Sequence, residues 1–325
     1  MAELNIVEAV NAAMREEMER DSRVMVLGED VGRAGGVFRA TEGLQKLFGG
    51  DRVVDTPLSE SGIVGTAIGL AVFGMRPIAE IQFMGFIYPA FDQIISHASR
   101  MRNRSRGRFS VPLVVRTPYG GGIHAPEHHS ESTEAVFAHT PGVKVVVPSN
   151  PYDTKGLLIS AIRDPDPVIF LEPERIYRAV KGEVPDGDYT VPIGTANIVR
   201  EGEHVTIIAW GAMLHIALEA IEALADEGID GELVDVRTIS PLDTETIIAS
   251  VKKTGRAVVV HEAPKTCGLG AEIIALINEK AFLNLSAPPA RVTGFDTVIP
   301  LPKGEHLYLP TPERIISTVR QVMEY

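Results

Sequence analysis

Short apolar runs alternate with amphipathic stretches along most of the chain. Val7, Val10, Met14 and Met18 recur at helical spacing, with Arg15, Glu16 and Glu19 on the opposite face. Strands are then predicted at 24–27, 52–55, 77–83, 112–116, 143–147 and 168–171, with helices at 63–73, 88–101 and 152–163 between them. From about 172 to 204 the rhythm gives way to Pro, Gly and acidic residues, which suits a connection carrying a short strand or two. It restarts with a strand at 205–209 and a helix at 213–226 whose Leu214, Leu218, Ile221 and Ala225 share one face. Segments at 232–237, 243–253, 257–261, 271–282 and 291–294, and a closing helix at 312–323, complete a second, smaller unit. The alternation predicts an α/β protein with mostly parallel sheet: a domain over 1–185, a connection over 186–203 and a second domain over 204–325. In open sheets of this kind ligands gather beyond the C-terminal strand ends, where Gly28-Glu29-Asp30, Asp55-Thr56-Pro57 and Thr117-Pro118 fall.

Composition narrows the class. Of 325 residues, 45% are hydrophobic, enough for a sizeable core, and the formal charge of −12 with no long basic run argues against a nucleic-acid or anionic-membrane binder. A single cysteine, Cys267, excludes an intrachain disulfide framework and fits a reducing compartment. The longest apolar run, 63–75, carries three glycines and is too short to span a bilayer. The N-terminus has no basic stretch leading into an apolar one, so no secretory signal is visible and a cytoplasmic location is expected.

Two segments carry candidate chemistry. Asp55-Thr56-Pro57-Leu58-Ser59-Glu60 leads from a strand into a helix. Ser59 and Glu60 there read either as a cap and a dipole-complementing acid, or as a carboxylate poised at the sheet edge against Ile63, Val64 and Ala67. In that apolar setting its pKa is expected to rise. The second segment, Gly120 to Ser132, joins a triple glycine to His124, His128 and His129. It reads as a mobile loop with a glycine hinge presenting one imidazole for proton transfer or anion binding. A zinc site on His124 and His128 competes with that reading, although Gly and Pro in the segment disfavour a rigid ligand-bearing helix. A plain surface loop is the remaining alternative. Gly268-Leu269-Gly270 resembles part of a dinucleotide fingerprint but has Ile273 where the third glycine belongs, so a tight turn suits it better. Arginines at 100, 102, 104, 106 and 108 suit a solvated loop or a contact with an acidic partner.

Taken in order, the motifs resemble the β subunit of the E1 component of 2-oxo acid dehydrogenase complexes, thiamine-diphosphate-dependent and related to transketolase. The matching stretches are Val26-Leu27-Gly28-Glu29-Asp30-Val31-Gly32, Asp55 to Glu60, Pro77 to Phe83, His129-Ser130, Pro148 to Asp153 and Asp166 to Pro173. The resemblance implies a pyrimidine-type thiamine-diphosphate domain followed by a transketolase C-terminal-like domain. It implies that Glu60 bonds N1′ of the cofactor's aminopyrimidine, favouring the imino tautomer that removes the C2 proton. Leu58, Gln82 and Phe86 would line the aminopyrimidine pocket, and His129 would handle the 2-oxo acid and the acylation of lipoamide.

The family's Gly-Asp-Gly motif for Mg²⁺ and diphosphate is missing: Gly50-Asp51 and Gly187-Asp188 are followed by Arg and Tyr. The resemblance therefore implies half a site, with Mg²⁺ held by an α subunit in an α2β2 heterotetramer. It also implies docking of the E2 subunit-binding domain on the C-terminal domain, visits from the lipoyl domain, and a structural K⁺ near Leu113, Ala161, Ile162, Asp164 and Asp166. Those residues equally suit an ordinary helix end. Pyruvate is the expected substrate, with a branched-chain 2-oxo acid as runner-up and acetoin dehydrogenase β after that. A non-catalytic scaffold with a degenerate site is the reading outside enzymes.

Overall fold

The computed structural model describes all 325 residues. Its strands are β1 (Ala2–Asn5), β2 (Val24–Gly28), β3 (Val53–Asp55), β4 (Arg76–Glu80), β5 (Val114–Tyr119), β6 (Lys144–Val146) and β7 (Val168–Pro173). They continue with β8 (Lys181–Val184), β9 (Asn197–Arg200), β10 (Val205–Ala209), β11 (Gly231–Asp235), β12 (Thr238–Ser240), β13 (Ala257–Val260) and β14 (Ala290–Val292). Seven strands form the first sheet in the order β12-β6-β7-β5-β4-β2-β3, and five form the second in the order β14-β13-β10-β11-β9. Each sheet is parallel except at one edge, β12 in the first and β9 in the second. β1 and β8 make a small antiparallel ribbon.

Neighbouring residues on the central strands serve opposite faces, as the pleat requires. Val114, Val168 and Phe170 enter one hydrophobic layer, and Val115, Ile169 and Leu171 the other. Both layers run on into the second domain, through Ile207 and Leu233 on one side and Ile208 and Val234 on the other. Helices cover both faces, so the strands are apolar throughout rather than alternating.

The helices start where their caps allow. Asn5 opens Ile6–Arg20 by accepting from the Glu8 amide at 3.0 Å, while the Glu8 carboxylate accepts from the Asn5 amide at 2.8 Å. Asn150 accepts from the Asp153 amide at 2.8 Å, and Pro151, with no amide hydrogen to leave unmet, begins Pro151–Arg163.

Three expectations need correction. The helix expected at 88–101 is three pieces: a 3₁₀ stretch at Met84–Ala90, a π-helical Gln93–Ala98 and one α turn at Met101–Arg104. Pro89 breaks its ladder, having no N–H to donate and a ring that crowds the preceding turn. The strand expected at 77–83 stops at Glu80, leaving Ile81, Gln82 and Phe83 to turn out over the sheet edge. Finally, β9 lies inside the stretch read as a connection and pairs with β11, so second-domain pairing begins at Asn197 rather than near residue 204.

Candidate active site

β3 and β4 lie on opposite sides of β2, so the first sheet changes its direction of growth there and opens a crevice beyond the strand ends. Four connections meet at this crevice. Asp55, ending β3, ties down the loop after β2 by accepting from the amides of Gly32 at 2.6 Å and Arg33 at 3.3 Å. Leu58 then stands 73% exposed on the rim. Ser59 caps the next helix, accepting from the Gly62 amide at 3.4 Å, and Glu60 is that helix's first residue (Glu60–Val72). Glu60 is half-buried and its carboxylate has no hydrogen-bond partner in the chain. Its charge, with burial first and Asp30 next, pushes the neighbouring Glu29 carboxyl above its ordinary range. Ser61 anchors the same turn, donating to the Pro89 carbonyl at 2.5 Å.

The other wall comes from β4 and β5. Gln82 and Phe86 are half-buried. The His129 ring lies 4.4 Å from Phe83 and 5.0 Å from Phe86, centroid to centroid. His129 Nδ1 is 2.8 Å from the Glu127 carbonyl, which can only accept, so Nδ1 carries the hydrogen and Nε2 is left free. His129 and Glu60 thus flank the 84–90 segment from opposite ends, one through Phe86 and the other through the bond from Ser61 to Pro89. The arrangement suits a flat heteroaromatic ring. Glu60 offers an acceptor for a ring N–H, Phe86 an aromatic surface, Gln82 an amide and Leu58 an apolar edge. This fits the aminopyrimidine of thiamine diphosphate. The chain gathers no three His, Cys, Asp or Glu side chains able to hold a metal ion.

The triple glycine is not a free hinge. Gly121 N–H donates to Glu262 at 3.1 Å, and Gly122 N–H to Glu305 at 2.6 Å. His124 donates to the same Glu305 carboxylate through its amide, and its Nδ1 lies 3.0 Å from that oxygen. Both glutamates come from the second domain. His128 Nδ1 faces Glu131 at 3.7 Å instead. His124 and His128 therefore do not converge on a common ion, which overturns the zinc reading of this segment.

Two buried polar groups were not legible as such. Arg116 on β5 bonds Glu172 through Nε at 2.7 Å and Nη2 at 2.6 Å, and it also reaches Glu80; Tyr177 donates to Glu172. Burial works against the guanidinium, but Glu172 and Glu80 outweigh it and keep it charged. The second group, Glu134, Glu174 and Glu262, gathers behind the glycine turn. Burial pushes their carboxyls up to about 7, about 9 and about 8, with neighbouring acids adding to the rise for Glu174 and Glu262. The available signal was a charged residue inside an apolar strand: Glu80, Arg116 and Glu172 each break one.

The residues expected to hold K⁺ have partners within the chain. The Leu113 carbonyl accepts from the Val168 amide at 2.9 Å, the Ala161 carbonyl from the Asp164 amide at 3.2 Å, and the Ile162 carbonyl from Arg76 at 2.8 Å. Asp164 pairs with Lys144, and Asp166 with Arg102 at 2.6 Å. Each of these carbonyls keeps a second lone pair beyond its one hydrogen bond, so the K⁺ expectation stands as a proposal.

Comparison with known proteins agrees with this geometry. The transketolase pyrimidine-binding domain matches residues 2–180 and the transketolase C-terminal domain residues 194–315. The pyruvate dehydrogenase E1 component subunit beta of Acholeplasma laidlawii is 55% identical over 322 residues, covering 99% of this chain and 98% of that protein. Its namesake from Bacillus subtilis (strain 168) is 53% identical over the whole of both chains. A split-gene transketolase, solved as an inactive β4 tetramer, superposes with a TM-score of 0.80 at 23% identity over 99% of each chain and shares the fold.

Proposed function

Because the chain belongs to the transketolase-like family of pyruvate dehydrogenase E1 β subunits, we propose that it forms the aminopyrimidine half of a thiamine-diphosphate site completed by an α subunit. The observation that carries this reading is Glu60: a half-buried carboxylate at a helix N-terminus in a sheet-edge crevice, with no partner of its own. Open to solvent and uncommitted within the chain, this carboxylate is free to accept from a bound ring N–H. The missing Gly-Asp-Gly motif assigns Mg²⁺ and the diphosphate to the other chain. The assembly would be an α2β2 heterotetramer, working in the cytoplasm with the E2 subunit-binding and lipoyl domains.

Thiamine diphosphate, when bound, supplies the nucleophilic carbon and electron sink needed to decarboxylate a 2-oxo acid. Glu60 accepts the hydrogen bond from ring N1′ and holds the proton at that atom. Phe86 and Leu58 orient the ring and keep water from its face, and Gln82 meets its polar edge. His129, fixed through Nδ1, presents Nε2 to hold a proton at the 2-oxo acid. As the acyl group forms on one lipoyl sulfur, the electron pair left by decarboxylation breaks the S–S bond, and Nε2, having first taken up a proton from solvent, gives it to the other sulfur. Pyruvate is the favoured substrate, supported by the names of the relatives.

The test is reconstitution. Alone, the chain should bind thiamine diphosphate weakly by calorimetry and release no CO₂ from pyruvate, and co-expression with an α chain carrying Gly-Asp-Gly should restore both. Full turnover by the isolated chain would overturn the reading. A preference for branched-chain 2-oxo acids by the complex would correct only the substrate.

A further inference from the structure

The glycine turn and the second domain fit each other closely. Gly120 and Gly122 adopt φ of +90° and +103°, a region that favours glycine. There is no room for side chains either. A Cβ on Gly120 would overlap the Glu262 carboxylate, one on Gly121 would lie 2.8 Å from Ile299, and one on Gly122 would lie 2.6 Å from Arg175. The turn thus presents bare amides to buried carboxylates. Glu305, only 2% exposed, takes Gly122 N–H on one oxygen and the His124 amide on the other, with the His124 ring Nδ1 3.0 Å from that second oxygen. Two backbone amides converge on this one buried carboxylate, so it ties two positions of the loop to the second domain at once.

That attachment reaches His129. Gly120 N–H donates to the Glu131 carbonyl at 3.0 Å, which ties the two ends of the 120–131 segment together. The turn held by Glu305 and the imidazole held by Glu127 are therefore parts of one closed loop. On its far side the His128 carbonyl sits so close to Gly85 that no side chain fits there. With both flanks fixed, a shift of the turn has to be taken up near His129.

We infer that Glu305 is a positioning residue: the second domain sets the register of the catalytic histidine through a carboxylate that never touches substrate. The inference rests on the proposed role of His129 in acyl transfer. It also reassigns the triple glycine, from a hinge to a close approach to Glu262 and Glu305.

A double-mutant cycle in the assembled α–β enzyme tests it, with acyl transfer to a lipoyl domain as the readout and complex size and melting temperature as controls. Misplacement of a catalytic group by about 1 Å costs up to about 100-fold, so Glu305→Ala should lower kcat by about 10- to 100-fold while KM for the 2-oxo acid moves less than about threefold. Glu305→Gln, which keeps one acceptor oxygen, should recover most of that loss. In a His129→Ala background the further loss from Glu305→Ala should shrink to about twofold or less, because the two act as a unit. His124→Phe removes only the imidazole contact with Glu305 and keeps the cycle usable if truncation of Glu305 prevents assembly; its expected loss is about threefold in kcat, again absent without His129. Equal losses in both backgrounds, or wild-type kcat in the single variants, overturn the inference and leave the proposed function standing. Undiminished acyl transfer by His129→Ala overturns both.

Discussion

Glu60 and Glu305 each begin a helix, and there the likeness ends. Glu305 lies inside the junction between domains and receives two backbone amides from the loop it holds. Glu60 lies at the crevice rim and receives none. Both positions favour an acid, since a helix N-terminus attracts negative charge. What differs is whether the chain itself supplies the donors. The junction is finished by folding, whereas the rim awaits a second molecule. Glu134 and Glu174 also lack partners, but they are buried inside the protein, whereas Glu60 is open to a ligand from outside.

Substitution at the rim offers the largest effect. Glu60→Gln should lower decarboxylation by the assembled enzyme about 10²- to 10⁴-fold, the usual range for a lost acid–base group, with an unchanged melting temperature. A parallel fall in stability would make Glu60 a structural residue and erase the contrast. The opposite pattern is expected inside the sheet. Arg116→Met leaves Glu80 and Glu172 buried without a cation, which should cost about 3–5 kcal/mol in urea unfolding. An unshifted midpoint would show that those acids were never ionised.

A smaller effect separates the two regions by pH. Burial raises the carboxyls of Glu134, Glu174 and Glu262 to about 7, 9 and 8, against 4.5 for an ordinary glutamate. Folding therefore takes up protons in that interval. Their contribution to stability is complete below about pH 4.5 and is lost as pH rises through about 7 to 9. The urea midpoint should fall between about pH 6 and pH 9.5, and Glu174→Gln should flatten the fall. A pH-independent midpoint would mean that these acids find partners or water. Smallest of all, Ser59→Ala should destabilise by about 0.5 kcal/mol in thermal melts, given the long 3.4 Å cap bond.

The order of elements was legible because apolar runs on doubly covered strands announce themselves. Val205–Ala209 and Pro312–Met323 lie where periodicity puts them. The exceptions have local causes. Thr238–Ser240 is too short and polar to signal a strand, and its partner lies in the other domain. The 88–101 segment reads as a helix because its apolar spacing survives in 3₁₀ and π turns, while Pro89 breaks the α ladder. At the site, Glu60 showed as an acid opening a glycine-spaced helix, whereas His129 was distinguished from His128 only by the His-Ser pair that the family shares. Glu262 and Glu305 did not, because the amides they serve lie more than a hundred residues away and nothing near either glutamate announces them. Phe83, whose ring packs at a tilt against His129, was hidden inside an apparent strand.

β12 also changes what the word domain means here. A strand from the C-terminal half completes the edge of the N-terminal sheet, and Arg237 beside it pairs with Asp153 at 2.7 Å. The covalent tether between the halves is thus not their main bond. A protease nick between residues 186 and 196 should leave two fragments that copurify, and neither half should be expected to survive expression on its own.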